Sequence, residues 1–108
     1  MALTTYACYA YDTCVEFEWD RAKRERTIRS HGVDFREAAE TFEDRHAFFE
    51  FDARHSLIEN RFLILGKTWT GRLLMTVFTW RGTKVRIISS RRANRREARG
   101  YEERIRLQ

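Results

Sequence analysis

Three segments in the second half of the chain leave little choice of fold. Residues 61–66, 73–80 and 84–90 are rich in branched and aromatic side chains, and the short connections between them contain Gly71 and Gly82. Links this short cannot carry a crossover helix, so successive strands must run antiparallel as a meander. The aromatic-rich residues 46–51 extend the series to about four strands. Residues 61–66 and 73–80 carry apolar groups on both alternating faces, which predicts central strands covered on both sides and places Trp80 in the core.

Helix signals surround this sheet. Asp20 is placed to cap a helix starting at Arg21, and Gly32 to end it in the left-handed conformation, with His31 in its last turn. That helix is highly charged; Ala22 and Ile28 are its aliphatic anchors, expected to lean on Trp19. Asp34 and Glu37 resemble a capping box for a second helix, whose Phe35, Ala38, Ala39 and Phe42 share one apolar face. Asn94 and Glu97 start a third helix that reaches about Leu107. The expected fold class is α+β: two N-terminal helices, an antiparallel sheet of about four strands and a C-terminal helix. At 108 residues, with 14% aromatic content, the chain has room for one core, assigned to residues 15–108. Residues 1–14 read as an N-terminal extension, either mobile or adding an edge strand.

Charge is distributed unevenly. Between Arg81 and Arg106 ten basic residues face three acidic ones, a local net of +7, whereas the whole chain carries +5. Arginine accounts for 18 of the 21 cations, and its planar fork grips phosphate or carboxylate with two parallel hydrogen bonds. A polyanion is the expected partner. No apolar run approaches the roughly 20 residues that a membrane span needs, so no membrane association is expected. Cys8 and Cys14 read as free thiols in a cytoplasmic protein. Neither histidines nor cysteines stand at metal-ligand spacing, so neither metal nor cofactor is expected, and the chain has no glycine-rich phosphate loop.

Two groups of residues carry potential chemistry. Arg86 sits on the last strand, sharing a face with Ile88 opposite Val85, Ile87 and Ser89, while Arg91 and Arg92 fall at the strand-to-helix junction, near the free N–H groups of the last helix. Asp52, His55, Glu59 and Arg61 occupy the loop between two strands. A histidine and a carboxylate beside a basic groove suit acid–base cleavage of RNA, although Glu59 paired simply with Arg61 is the plainer reading of that spacing. His31 and His46 read as structural. Trp69, Trp80 and Tyr101 are potential stacking partners for bases, with Trp80 more at home in the core. The rival to an enzyme is a non-catalytic module that binds nucleic acid or a partner protein through the same basic C-terminal surface.

The succession Phe17-Glu18-Trp19-Asp20, His31-Gly32-Val33, Asp52, His55-Ser56, Glu59, Arg61, Gly71-Arg72, Thr79, Arg81 and Arg86-Ile87-Ile88-Ser89 with Arg91, Arg92, Arg95, Arg96 and Glu97 resembles the BrnT family of type II toxin–antitoxin ribonucleases. The resemblance runs over about residues 16–101. It implies a RelE-like fold and an RNA-cleaving toxin that arrests translation. It also implies a cognate BrnA-like ribbon-helix-helix antitoxin, with promoter DNA bound only through the toxin–antitoxin complex. Carried onto this chain, it makes His55, Glu59, Arg86 and Arg91 the candidate catalytic residues and Arg61, Arg72, Arg81, Arg92 and Arg95 the candidate RNA-binding residues.

Overall fold

The computed structural model of the chain describes residues 3–10, 13–55 and 59–107, and the side chains among them from Val15 onward except that of His55. Strands β1 (Leu3–Ala10) and β2 (Thr13–Asp20) lead into helices α1 (Arg21–His31) and α2 (Phe35–Glu40), and a 3₁₀ turn over Thr41–Glu43 follows. Strands β3 (Phe48–Phe51), β4 (Phe62–Lys67), β5 (Leu73–Arg81) and β6 (Lys84–Arg92) precede helix α3 (Arg95–Arg106). All the strands form one six-stranded sheet in the order β1-β2-β6-β5-β4-β3.

The expected meander is β3 to β6. The sheet exceeds it by two strands and is mixed, because β2 pairs parallel to β6, with Phe17 opposite Val85 and Glu18 opposite Arg86. A parallel pairing between segments this far apart leaves no local turn signal, which is why periodicity alone misses it. Residues 3–10 form the edge strand β1, with Ala10 opposite Thr13.

The helix ends follow the capping chemistry. The Asp20 carboxylate accepts from the Ala22 N–H at 2.8 Å, and Gly32 closes α1 with φ 65°. Asp34 accepts from the Arg36 N–H, and Asn94 and Glu97 form a reciprocal capping box at the start of α3. Contrary to expectation, Ala22 and Ile28 are exposed; the buried residue of α1 is Thr27, and the helix packs against β6.

Strand alternation sorts side chains between two faces. Phe17, Trp19, Ile64, Leu74, Phe78, Val85 and Ile87 lie on the covered face, where Val33, Phe35, Ala38 and Ala39 complete the core. Phe42 meets Phe17 and Phe78 edge-on, each at 5.0 Å between centroids, so the 3₁₀ turn contributes the ring at the centre of this packing. The turn sits so close to β4 that a Cβ on Gly66 would lie 3.0 Å from the Thr41 carbonyl oxygen.

The opposite face is only partly covered. Helix α3 lies over one end of it, with the Arg104 guanidinium 4.0 Å above the Phe48 ring. The helix is pinned by Asp44, whose carboxylate accepts from the Tyr101 hydroxyl at 2.6 Å and from the backbone N–H groups of His46 and Lys67. Tyr101 is therefore buried structure and no platform for a base. Leu63, Met75 and Val77 remain half-buried beyond α3, so β4 and β5 are not fully covered on both sides as expected. Trp80, expected in the core, is 51% exposed at the end of β5. No helix among the described residues is long and apolar enough to cross a membrane.

Two stability predictions follow from this packing. Gly66→Val forces a side chain into the Thr41 backbone and should cost about 1–3 kcal/mol, read as a lowered denaturant midpoint with unchanged slope. Burial pushes the Asp44 carboxyl up, but its hydrogen bonds from Tyr101, Lys67 and His46 outweigh that and hold it below the usual carboxylate range. A depressed carboxyl stabilises the fold above its unfolded pKa, about 3.9, and that contribution disappears as pH falls through the lower folded value. The stability gap between the wild type and Asp44→Asn should therefore be widest near neutrality and narrow below about pH 4; a gap independent of pH would contradict this account.

Candidate functional site

The uncovered part of the sheet forms a groove of about 730 Å³ with an apolar floor of Leu63, Met75 and Val77. Its rim is charged: Arg54, Arg61 and Arg91 alternate with Glu50, Asp52 and Glu97, and His31 reaches it from the end of α1. A β-bulge in β6 brings the strand's arginines to this face. Val77 pairs with Ser89 while the adjacent Phe78 pairs with Ile87, leaving Ile88 as an extra residue. Arg86, Ser89 and Arg91 therefore project on the same side as Thr79, Val77 and Met75, whereas regular alternation puts Ser89 with Val85 and Ile87.

Arg86 projects between neighbouring strands and is mostly buried, its side chain 20% exposed. It donates through Nη2 to Glu18, itself 8% exposed, at 3.2 Å, and its Nε is buried with no hydrogen-bond partner among the described residues. A buried donor left open costs about 1–3 kcal/mol; Arg86 stands on the groove's face but outside the groove's lining, so an oxygen atom reaches this Nε only if the side chain turns outward. Glu18 is a site residue that reasoning along the chain does not single out. In the sequence it shows only as part of the Phe17-Glu18-Trp19-Asp20 stretch that carries the family resemblance and in its alternation with Phe17 and Trp19, with no role attached; its partner lies 68 residues away.

At the groove's end, Glu59 stands between two cations, 3.7 Å from Arg61 Nε and 3.3 Å from Arg81 Nη2. Glu59 and Arg81 line a second pocket with Asn60, Phe62, Thr79 and Trp80, while Arg61 belongs to the groove. This carboxylate therefore joins the two. His55 ends a 3₁₀ turn over Ala53–His55, four positions before Glu59; its side chain lies outside the described residues.

Arg91 makes a bidentate pair with Glu97 at 2.8 and 2.9 Å. That hydrogen bonding holds Glu97 below the usual carboxylate range and pushes Arg91 up. The first turn of α3, expected as a free anion site, thus already holds a carboxylate, which also caps the helix through the Asn94 N–H. Arg92 and Arg95 are exposed at the junction beside it. Arg72 is committed to the fold: it binds Glu37 at 2.8 Å and the Gly32 carbonyl at 3.1 Å, tying β5 to the helices. The structure therefore brings Arg61, Arg86 and Arg91 to one face, joins Glu59 and Arg81 to its end, and places Arg72 elsewhere. His31, read from the sequence as a helix-end residue, is the one whose position the groove revises. Among the described residues no group of three or more His, Cys, Asp or Glu side chains is arranged to hold a metal ion.

No curated protein matches the chain. Among solved structures, it is similar to the 1.1 Å crystal structure of the Brucella abortus ribonuclease toxin BrnT, with 23% identity and a TM-score of 0.54 over 71% of this chain and 94% of that one. A likeness at that identity speaks to the fold, which is thereby α+β of the BrnT kind. Residues 19–97 match the family described as "Ribonuclease toxin, BrnT, of type II toxin-antitoxin system". That match runs from the end of β2 into the first turn of α3 and takes in Glu18's partner Arg86, the Glu59 cluster and the Arg91–Glu97 pair. The chain belongs to the BrnT family of ribonuclease toxins of type II toxin–antitoxin systems.

Proposed function

We propose that the chain is an endoribonuclease that cleaves RNA by acid–base chemistry without a metal ion, and that its site is the groove together with the Glu59 cluster at its end. The observation that carries the reading is Glu59 standing between Arg61 and Arg81. A carboxylate flanked by guanidinium groups puts a proton acceptor beside two groups that bind phosphate.

In this reading Glu59 accepts the proton of the ribose 2′-OH as that oxygen attacks the adjacent phosphorus. The bond from phosphorus to the 5′ oxygen breaks, and that oxygen takes a proton from a histidine, leaving a 2′,3′-cyclic phosphate and a 5′-hydroxyl. His55 is the histidine that the family resemblance favours, and His31 is the one whose position lines the groove. Arg86 and Arg91 stabilise the charge gathering on the phosphorane oxygens, Arg86 by turning its guanidinium from Glu18 toward the groove and Arg91 by exchanging Glu97 for phosphate. Arg61, Arg81, Arg92 and Arg95 hold the flanking strand. Arg72, bound to Glu37 and Gly32, serves this surface only by holding the fold.

The cationic surface also suits an antitoxin. We assign as partner a BrnA-like ribbon-helix-helix protein that neutralises the toxin in the cytoplasm and reaches promoter DNA as a complex with it. Co-expression should then yield a complex in which RNA cleavage is suppressed.

Two assays test the enzyme. The purified protein should cleave RNA in the presence of a chelator and leave an all-2′-deoxy strand intact; equal cleavage of both would rule out the 2′-OH mechanism, and loss of cleavage in chelator would rule out metal independence. Glu59→Gln should lower kcat by about 10²–10⁴-fold, and Arg86→Ala should lower turnover far more than Arg104→Ala, which alters only the stacking on Phe48. Comparable losses for Arg86→Ala and Arg104→Ala, or RNA binding with no cleavage, would favour a binding module.

A further inference from the structure

The exposed indole of Trp80 is the feature that the cleavage chemistry above leaves unused. Next to last in β5, it is half open to solvent, yet it is not loose: its ring meets Phe78 edge-on at 6.3 Å, and Phe78 stacks on Phe62 at 5.7 Å with the planes 28° apart. The indole is thus fastened along one edge to the core and presents the rest of its surface to a pocket of about 520 Å³. An exposed aromatic group held by the core loses little rotamer freedom when a ligand stacks on it.

The rest of the pocket is polar. Asn60 offers an amide that can both donate and accept, Glu59 offers a carboxylate, and Arg81, at 50% side-chain exposure, offers a guanidinium. The Asn60 backbone is fixed by the Thr79 hydroxyl, which donates to its carbonyl at 2.5 Å. A flat π-surface beside groups able to pair with the edge of a heterocycle suits a nucleobase better than an aliphatic ligand. Glu59 sets the location: it lines this pocket and lies 3.7 Å from Arg61 of the groove. Trp80 alternates with Thr79 and so projects from the covered face, but the pocket takes in both residues and Glu59 at the end of the sheet, so a strand whose phosphates lie along the groove brings one base to Trp80 by turning around that end.

Trp69 is the useful contrast. It is more exposed, at 66%, but its indole N–H donates to Glu43 and its backbone N–H to Glu40, so carboxylates surround it where a phosphate chain would have to pass.

We infer that the pocket of Trp80, Asn60 and Arg81 is a nucleobase subsite, in which one base of a single-stranded RNA stacks on the Trp80 indole at the end of the sheet, around the edge from the cleavage groove. The inference rests on the RNA reading above. It makes Trp80 a residue that selects unpaired RNA, because a base held in a duplex cannot reach the ring.

The test compares two uncleavable probes of equal length and charge, a single-stranded 2′-O-methyl oligonucleotide and its abasic counterpart. The wild type should bind the base-bearing strand more tightly. Trp80→Ala should weaken that strand by about 5- to 150-fold and leave the abasic strand unchanged. Trp80→Phe should restore most of the difference, and Trp69→Ala should bind both strands as the wild type does. A folded Trp80→Ala protein that binds both strands like the wild type, or an equal loss from Trp69→Ala, overturns the subsite. A wild type that binds neither strand overturns the RNA reading itself, and the subsite with it.

Discussion

Successive side chains on a strand point to opposite faces, so residues 86 and 91, separated by an odd number, belong on opposite sides of any regular sheet. The extra residue at Ile88 removes that constraint. Upstream of the bulge, Val85 and Ile87 close the core while Arg86 faces away; downstream, Ser90 turns into the core to share a 2.8 Å hydrogen bond with Thr76, and Ser89 and Arg91 face the groove. One strand thereby serves both faces with residues of opposite parity. A bulge also strengthens the local twist, and it sits where β2 gives way to α1 as the neighbour of β6. The groove and the position of Arg91 before α3 depend on it, whereas the pairing of Arg86 with Glu18 follows from the parallel register of β2 and β6.

The two faces are held by different forces. On the covered face, Phe42, Phe17 and Phe78 pack edge-on under α2 and the 3₁₀ turn, and burial of these rings with the aliphatic core around them stabilises the fold. The other face has few large apolar groups to bury, so α3 is fastened by point contacts: Asp44 with Tyr101, Lys67 with Glu102, and Arg104 on Phe48. Because α3 covers one end only, the apolar floor of Leu63, Met75 and Val77 stays accessible. Each arginine that defines the site has a carboxylate neighbour, Glu18 for Arg86, Glu59 for Arg61 and Arg81, and Glu97 for Arg91. These pairs hold the guanidinium groups in fixed orientations and temper the mutual repulsion of a cationic surface.

Local chemistry was legible in the chain. Asp20, Asp34 and Asn94 mark three helix starts, Gly32 marks a helix end, and the glycine-containing links at Gly71 and Gly82 mark the meander. The pairing of Glu59 with Arg61 is also present as expected from its spacing. Trp80 was less legible. Its strand reads as largely apolar on both faces, and whether a residue near its end is covered depends on how far the neighbouring elements extend. The same holds for Ile28, which looks like an anchor on its own helix but meets no core where α1 runs beside β6.

Residue type and short spacing determined which elements form, where they are capped, and that the C-terminal quarter is strongly cationic, because those properties arise from contacts within a few positions along the chain. Tertiary structure decided which arginines act together. Arg72, Arg86 and Arg91 are alike in sequence, yet one ties β5 to the helices, one is buried beside Glu18, and one is clasped by Glu97 at the groove. The difference comes from a parallel strand pairing across 68 residues and from a single bulge. Both are set by packing the covered face, where a register error of one residue would turn the whole core outward.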